Sequence, residues 1–197
     1  AEAGIWARYS FIGVNSEATL TEKNGLATWL GVMPAGAPSG IDPLSALRIS
    51  TSHLRSPKFN NLPPLTGGLV GYLGYEIVRR LEKLPDLSKK DIDIPEIAMM
   101  LTSDLAVYDH KEGVITLIAN AINWDGSDDR VDEAFAESQE RLDRMYEDLQ
   151  SALPGDVSEI PEFSKPDFDR NITAEEFRAK VEIAKEEIRA GEAFQIV

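Results

Sequence analysis

The sequence has 197 residues, of which 43% are hydrophobic and 27% charged, a composition typical of one globular domain or of one domain with part of another. It contains no cysteine, which excludes disulfide frameworks, thiolate zinc sites and cysteine nucleophiles. The net charge of −14 argues against binding to nucleic acid or to an anionic membrane, because phosphate groups would be repelled. No apolar run approaches the roughly 20 residues of a membrane-spanning helix and no signal peptide is recognisable, so we expect a cytoplasmic protein.

The chain begins with short segments that favour β-structure. These segments cover Ile5 to Val14, Ala18 to Thr21 and Leu26 to Val32. Asn24-Gly25 lies between the last two segments and is a strong signal for a tight turn. The sequence therefore predicts a hairpin or a meander in this region.

A helix is predicted to begin at Asp42-Pro43. The aspartate can cap free amides, and proline in the first turn lacks only an N–H that would have no partner there. Helical spacing gives this helix an expected inward stripe of Leu44, Leu47, Ser50, Thr51 and Leu54.

The middle of the chain predicts mostly strands. A glycine-rich aromatic segment runs from Leu65 to Tyr75, and Glu76 to Leu84 has the pattern of a short helix. The most apolar runs, Ile97 to Asp109 and Val114 to Ala121, flank a turn at residues 110–113. Their composition predicts central strands of a sheet.

The last third of the chain predicts two helices separated by a linker. Ser127 to Leu153 is the clearest helix, with Ser127 as its expected cap, and the proline-rich and acidic stretch from Pro154 to Arg170 is typical of a linker. Thr173 and Glu176 form a capping-box pattern at the start of a helix that is expected to end at Gly191. The expected inward stripe of the first helix is Val131, Phe135, Leu142, Tyr146, Leu149 and Leu153.

The residues offer little that resembles an active site. His53 and His110 are far apart in sequence and neither belongs to a metal or nucleophile motif, so both are interpreted as surface or capping histidines. The glycines at 67, 68, 71 and 74 match neither a P-loop nor a dinucleotide-binding spacing. Glycines in an apolar strand more often permit close backbone approach, a bend or a bulge, and we favour that structural interpretation.

Three blocks of sequence nevertheless carry a family resemblance. They are Arg8–Gly13 (RYSFIG), Pro63–Glu76 (PPLTGGLVGYLGYE) and Ala190–Val197 (AGEAFQIV), and they occur in this order across the whole chain. Together they resemble the N-terminal half of anthranilate synthase component I and of its sister, aminodeoxychorismate synthase component I. Each block alone is a weak to moderate signal, whereas the ordered set is a strong one.

The resemblance implies an α+β fold with two packed, largely antiparallel β-sheets and flanking helices, here truncated. It implies an N-terminal regulatory domain over residues 1–155 and a linker over 156–171. Residues 172–197 are then expected to form the first helix and the start of the first strand of an incomplete chorismate-binding domain. The chain by itself is expected to be inactive, because the catalytic groups of the family would lie beyond Val197.

The resemblance also suggests site residues. Arg8, Tyr9 and Ser10 are candidates for the remaining wall of an inhibitor site for L-tryptophan, with a plain edge strand as the alternative reading. Gln195 is a possible active-site lining residue. Related water-using enzymes carry a basic lysine at the matching place, whereas an enzyme that uses ammonia needs no base there, and glutamine can orient a ligand by hydrogen bonds. No catalytic residue and no metal ligand is expected within the chain.

The activity implied for the parent protein is the conversion of chorismate and ammonia to anthranilate and pyruvate. The ammonia would come from a glutamine amidotransferase subunit, and Mg²⁺ would be held by residues that are not in this chain. Three alternatives remain open on the sequence: the para-specific aminodeoxychorismate synthase, an amino-acid-sensing module, and a module that only binds a partner protein.

Overall fold

A computed structural model describes residues 8–13, 16–85, 92–124, 126–152 and 168–197 of the chain. The chain divides into two compact units, Ala1–Ala152 and Leu153–Val197. None of the helices in these described ranges is long and apolar enough to cross a membrane. The first unit contains, in order, β1 (Tyr9–Ile12), β2 (Ala18–Lys23), β3 (Leu26–Gly31), α1 (Pro43–His53), β4 (Gly68–Leu73), a 3₁₀ helix (Tyr75–Arg80), β5 (Ile97–Thr102), β6 (Asp104–Asp109), β7 (Val114–Ala119) and α2 (Val131–Gln150).

Two antiparallel sheets organise the first unit. One sheet has the order β1-β6-β7 and the other has the order β3-β2-β5-β4. The α-helices α1 and α2 lie beside these sheets, α1 in contact with β2 and β3 and α2 in contact with β6 and β7. This arrangement confirms the predicted fold class of two antiparallel sheets with flanking helices.

The β2–β3 hairpin follows the turn chemistry of its sequence. Asn24 and Gly25 both have positive φ angles, 53° and 81°, which a two-residue turn of this hand requires. The strands then pair in register from Lys23 opposite Leu26 to Ala18 opposite Gly31. The hairpin predicted from the sequence is therefore confirmed.

Helix α1 covers one face of the four-stranded sheet. Oδ2 of Asp42 accepts a hydrogen bond of 2.9 Å from the backbone N–H of Ser45, and Pro43 occupies the first turn, as predicted. The predicted stripe is partly wrong, because Thr51 is exposed and Ala46 is fully buried. The main core comprises Ala18, Leu20, Ala27, Trp29, Ala46, Ile97 and Leu101.

A glycine allows β4 to pair closely with β5. A Cβ atom added at Gly71 would lie 1.9 Å from the carbonyl oxygen of Ala98, well inside the contact distance. A side chain at this position would therefore force the two strands apart. The structural interpretation of the glycine-rich segment is confirmed at this residue. The short helix expected at residues 76–84 is a 3₁₀ helix that ends earlier, at Arg80.

The apolar run from Ile97 to Asp109 is not one strand. Ser103 separates β5 from β6, and the two strands belong to different sheets. Both occupy interior positions in their sheets, as predicted, whereas β7 lies at an edge and not at the centre. An edge strand has the same apolar composition when its side chains pack on a helix, and composition alone does not separate the two cases.

Helix α2 differs from its prediction in its start and in its packed face. The helix begins at Val131 with Arg130 at the cap position, so Ser127 does not cap it. Ser138 is buried and Ala134, Arg141 and Met145 are half-buried. All members of the predicted inward stripe that the structure describes are exposed, namely Val131, Phe135, Leu142, Tyr146 and Leu149. Leu153, the last member, lies outside the described residues.

The packed face of α2 contains an arginine with two polar partners. Nε of Arg141 donates to Oδ1 of Asp104 at 3.0 Å, and its terminal nitrogen donates to the carbonyl oxygen of Asn120 at 2.7 Å. On a helical wheel the four packed residues lie roughly 75° from the centre of the apolar stripe. The packed face of the helix therefore carries this ion pair and differs from the face that its hydrophobic pattern predicts.

The second unit contains α3 (Ala174–Ala190). Oγ1 of Thr173 accepts from the N–H of Glu176 at 3.2 Å, and the Glu176 carboxylate accepts from the N–H of Thr173 at 2.7 Å. Gly191 ends the helix in a left-handed conformation with φ 86°. The predicted capping box and terminal glycine are both confirmed, whereas residues 154–167 of the expected linker lie outside the described residues.

Candidate functional site

The candidate site begins on β1, which carries the residues that the sequence suggested as an inhibitor wall. Tyr9 pairs with Asp109 and Ser10 pairs with Tyr108 in the antiparallel ladder between β1 and β6. The strand therefore brings the first described residues of the chain beside residues that are about a hundred positions later in sequence. Arg8, Tyr9 and Ser10 thereby gain neighbours that no local pattern could identify.

Arg8 forms an ion pair at the end of this ladder. Its Nε and terminal nitrogen donate to both carboxylate oxygens of Asp109, with a shortest distance of 2.6 Å. These hydrogen bonds are the main reason that the pKa of Asp109 is lowered from 3.8 to about 2, with backbone donors of Lys111 and Glu112 adding to the effect. The same pairing raises the pKa of Arg8. Both groups are therefore ionised at neutral pH.

Ser10 has a histidine partner. Its Oγ and Nε2 of His110 share a hydrogen bond of 2.8 Å, and both residues are half-buried. The imidazole also meets the ring of Tyr108 edge-on, with ring centroids 4.6 Å apart and an interplanar angle of 72°. His110, which the sequence suggested as a surface or capping histidine, is therefore half-buried and held between a hydroxyl and an aromatic ring.

Tyr9 lies on the other face of the sheet from Ser10. Successive strand residues point to opposite faces, and the ring of Tyr9 accordingly lies 6.2 Å from that of Phe11, two residues along. Arg8 extends over the Tyr9 ring at 4.9 Å. The three candidate residues therefore do not form one continuous wall, and their assignment to an inhibitor site stays a prediction.

Gln195 and its neighbours follow α3 in the second unit. Gln195 is exposed, and residues 194–197 belong to no sheet in this structure. A β-strand exists only where a neighbouring strand completes its hydrogen bonds, so the expected strand stays a prediction. The possible lining role of Gln195 is likewise untested.

Two surface grooves in the first unit flank residues 120–124. One, of about 440 Å³, lies between the β2 and β3 ends and α2, and the other, of about 310 Å³, lies beside His53 and Thr66. The imidazole of His53 is exposed and lies near Trp124, with ring centroids 6.3 Å apart. The grooves contain none of the residues that the sequence proposed for binding.

Magnesium has no apparent ligand set in the described ranges. No group of three or more His, Cys, Asp or Glu side chains within them is placed to hold a metal ion. The described residues therefore do not fit a magnesium centre.

Sequence reasoning missed His110 and Tyr108 as members of the candidate site. The only local signal was the turn at residues 110–113, which places both residues near a strand end. Their contact with Ser10 depends on the pairing of β1 with β6, which skips four intervening strands. No spacing within the sequence encodes such a pairing.

Comparison with known proteins decides the family. The sequence profile of the chorismate binding enzymes matches residues 5–197. The chain belongs to this family. Anthranilate synthase component 1 from Mycolicibacterium smegmatis is 46% identical over 194 residues, which cover 98% of the chain and 36% of the relative. The proteins of that name from Mycobacterium tuberculosis and Arthrobacter globiformis are 45% and 43% identical over 98% and 100% of the chain, and 38% of each relative is covered.

A solved structure confirms the fold of the chain. The crystal structure of anthranilate synthase component I from Streptococcus pneumoniae TIGR4 aligns with a TM-score of 0.67 at 22% identity. The alignment covers 95% of this chain and 40% of that one. The chain thus spans between a third and two fifths of the length of the proteins that it matches.

Proposed function

We propose that this chain is part of an anthranilate synthase component 1. The observation that carries the proposal is identity of 43–46% over nearly the whole chain with relatives that bear this name. The complete protein would convert chorismate and ammonia to anthranilate and pyruvate, as a lyase of tryptophan biosynthesis. The relatives described above all bear the name anthranilate synthase component 1, and we therefore prefer the ortho reaction.

The proposal assigns the chain a supporting part in this reaction. The described residues offer no metal-binding group, and the strongest polar contacts, such as that of Arg8 with Asp109, are satisfied within the protein. We therefore propose that Mg²⁺ and the reacting ring of chorismate are held by polypeptide outside residues 1–197. Gln195 would contribute a neutral amide to the wall of the active site, which suits ammonia as the nucleophile because ammonia needs no general base.

A second part of the proposal is regulation by L-tryptophan. Ser10 and Arg8 lie at the edge of the three-stranded sheet, where side chains of β1 remain accessible. We assign Ser10 to the effector site, whereas the Arg8 guanidinium lies over the Tyr9 ring and pairs with Asp109 on the opposite face, so the places of Arg8 and Tyr9 in that site stay predictions. The effector would act on a cytoplasmic enzyme that receives ammonia from a glutamine amidotransferase subunit.

Growth complementation tests the proposed function. A gene for the complete protein, expressed with a glutamine amidotransferase subunit, should restore growth without tryptophan to a bacterial strain that lacks anthranilate synthase component 1. The same gene should not rescue a strain that requires 4-aminobenzoate. The reverse pattern would instead identify the para-specific synthase, and rescue of neither strain would contradict the proposal.

Residues 1–197 alone provide the matched control for this experiment. We expect them not to restore growth at any expression level, because the chemistry is assigned to polypeptide outside them. Complementation by this segment alone would show that the catalytic groups lie within it, and the division of roles proposed here would be wrong.

A further inference from the structure

The smaller of the two surface grooves lies where the glycine-rich segment enters β4. This groove, which we call the Thr66 groove, is lined by residues 53–56, 66–68, 102 and 120–123 and has a volume of about 310 Å³. Its lining therefore joins the end of α1, the start of β4 and the segment that follows β7. Thr66 and Gly67 belong to the second of the sequence blocks that carry the family resemblance, so this block contributes to a surface concavity as well as to a strand.

Asn120 fixes the backbone on one side of the Thr66 groove. Its Nδ2 donates to the carbonyl oxygens of Thr66 and Ser103, at 2.7 Å in both cases. Gly67 packs so closely on this amide that an added Cβ atom would lie 2.6 Å from Nδ2. Because these contacts tie segments of the two sheets together, the backbone of the groove is in place before a ligand arrives, which lowers the entropy cost of binding.

The charge of the groove lining is opposite to that of the chain. The sequence has 34 acidic and 20 basic residues, yet no Asp or Glu is among the described residues that line the groove. Arg55 and His53 are the basic residues of this lining. A cleft lined by one sign of charge concentrates its field and raises the local concentration of ions of the opposite sign. The Thr66 groove therefore favours an anionic ligand.

Hydrogen-bond donors in the lining are available to such a ligand. Within the described ranges, the guanidinium of Arg55 and the hydroxyls of Ser56 and Thr66 have no hydrogen-bond or ion-pair partner. A guanidinium presents parallel N–H groups that match the two oxygens of a carboxylate, and hydroxyls add neutral donors beside it. This donor set suits one carboxylate better than a phosphate dianion, because a single arginine balances a single negative charge.

Apolar side chains complete the lining. Leu54 and Ile122 line the groove and are half-buried against the main core, so part of each side chain is accessible. Small-molecule sites typically combine apolar walls of this kind with a few polar groups that set the orientation of the ligand. The volume of about 310 Å³ lies at the lower end of the range for such sites. A fitting ligand is therefore small and carries an apolar body next to its negative charge.

We propose that the Thr66 groove binds a small monoanionic carboxylate with an apolar body. Arg55 pairs with the carboxylate, Ser56 and Thr66 donate further hydrogen bonds to it, and Leu54 and Ile122 contact the apolar part. The site goes beyond the proposed function, since binding in this groove requires no turnover of chorismate. It is also separate from the predicted effector residues on β1, none of which lines the groove.

Methyl NMR titration of the complete protein with benzoate tests this proposal. Benzoate carries one carboxylate on a small ring, and benzamide is its uncharged counterpart. Benzoate should shift the methyl signals of Leu54 and Ile122 saturably with a Kd of about 1 mM, and benzamide should bind about tenfold more weakly. Leu54 and Ile122 signals that do not respond to about 20 mM benzoate, or that respond equally to benzamide, would overturn the proposal.

Two arginine variants distinguish a specific site from general attraction of anions. Arg55→Gln should raise the Kd for benzoate about tenfold, because it removes the charged pair of N–H groups. Arg48→Gln changes the net charge equally, lies in α1 outside the groove lining, and should leave the Kd unaltered. Both arginines are exposed, so neither change is expected to unfold the protein. Equal Kd values for the two variants would overturn the role of Arg55.

Competition with inorganic phosphate tests the class of anion. Phosphate should displace benzoate only at about tenfold higher concentration, because it lacks the apolar body. Displacement at equal or lower concentration would overturn the carboxylate assignment in favour of phosphate groups. A complete protein that binds benzoate as described but forms no anthranilate would contradict the proposed function and support the groove site. An active protein whose Leu54 and Ile122 signals stay unchanged would contradict the groove site alone.

Discussion

At the scale of single residues, backbone contacts set the strictest limits on the sequence. Gly71→Ala should lower the free energy of unfolding by roughly 3 kcal/mol, because the new methyl group would overlap the carbonyl oxygen of Ala98 and separate β4 from β5. Gly13→Ala is the matched control, since its Cβ would meet its nearest neighbour at an ordinary 3.5 Å. Urea denaturation measures both variants, and equal stabilities would contradict the close packing described here.

The ion pair of Arg8 and Asp109 should make the stability of the fold depend on pH. Because the folded-state pKa of Asp109 is lowered from 3.8 to about 2, its ionised form favours the folded state above about pH 4, and this contribution is lost as the pH falls toward 2. Arg8→Gln should move the Asp109 pKa back toward its ordinary value, as followed by NMR titration of the carboxyl carbon. Arg189→Gln, in the second unit, should leave that titration unchanged. A midpoint that does not move in Arg8→Gln would show that the arginine is not its cause.

At the scale of secondary-structure elements, α2 depends on a few polar contacts. Arg141→Met should lower the free energy of unfolding by about 2 kcal/mol, because Asp104 and the carbonyl of Asn120 both lose a charged donor. Arg144→Met, on the exposed side of the same helix, should change stability by less than about 0.5 kcal/mol. Thermal unfolding of the two variants provides the comparison. Similar melting temperatures would mean that α2 is held by its other contacts.

The capping box at the start of helix α3 should stabilise that helix. Thr173→Ala should speed hydrogen exchange at the amide of Glu176, because that N–H donates to the Thr173 hydroxyl, and should cost the helix about 1 kcal/mol. Thr173→Ser retains the hydroxyl and should exchange at nearly the original rate. If both variants exchange alike, the capping box does not stabilise this helix.

The helices and strands also show which sequence signals are sufficient to predict local structure and which are not. Caps and turns are local, so Asp42, the Asn24-Gly25 turn and the Thr173–Glu176 box could be read correctly from a few adjacent residues. The orientation of α2 could not be predicted in this way, because its packed face includes the contact of Arg141 with the carboxylate of Asp104, 37 residues away. Hydrophobic periodicity identifies an apolar stripe, but the stripe remains exposed where a polar contact dominates the packing.

At the scale of the whole molecule, a row of apolar side chains crosses the four-stranded sheet. Thr19 pairs with both Leu30 and Met100, and Met100 pairs with Val70, so the strand register places the three apolar residues in one row. All three are at least 41% exposed. We expect residues 1–197 alone to self-associate, because apolar patches of this kind favour contact with another surface. Light scattering should show an apparent mass that rises with concentration, and Val70→Lys with Met100→Lys should reduce the rise. A monodisperse monomer that binds no hydrophobic dye would contradict this expectation.

The site was harder to predict than the fold. Three ordered sequence blocks led to the correct fold class, since they sample strands and helix ends across the entire chain. The partners of Ser10 and Arg8 were missed, because a strand pairing over about a hundred residues leaves no periodic trace. The switch of a single apolar run between two sheets at Ser103 was missed for the same reason.

The most direct test of the central claim is the identity of the product that the complete protein forms from chorismate and ammonium ions. Chromatography with mass spectrometry should detect 2-aminobenzoate and pyruvate in equal amounts. Formation of 4-amino-4-deoxychorismate without pyruvate, or of a hydroxylated product without incorporated nitrogen, would contradict the assignment to anthranilate synthase component 1.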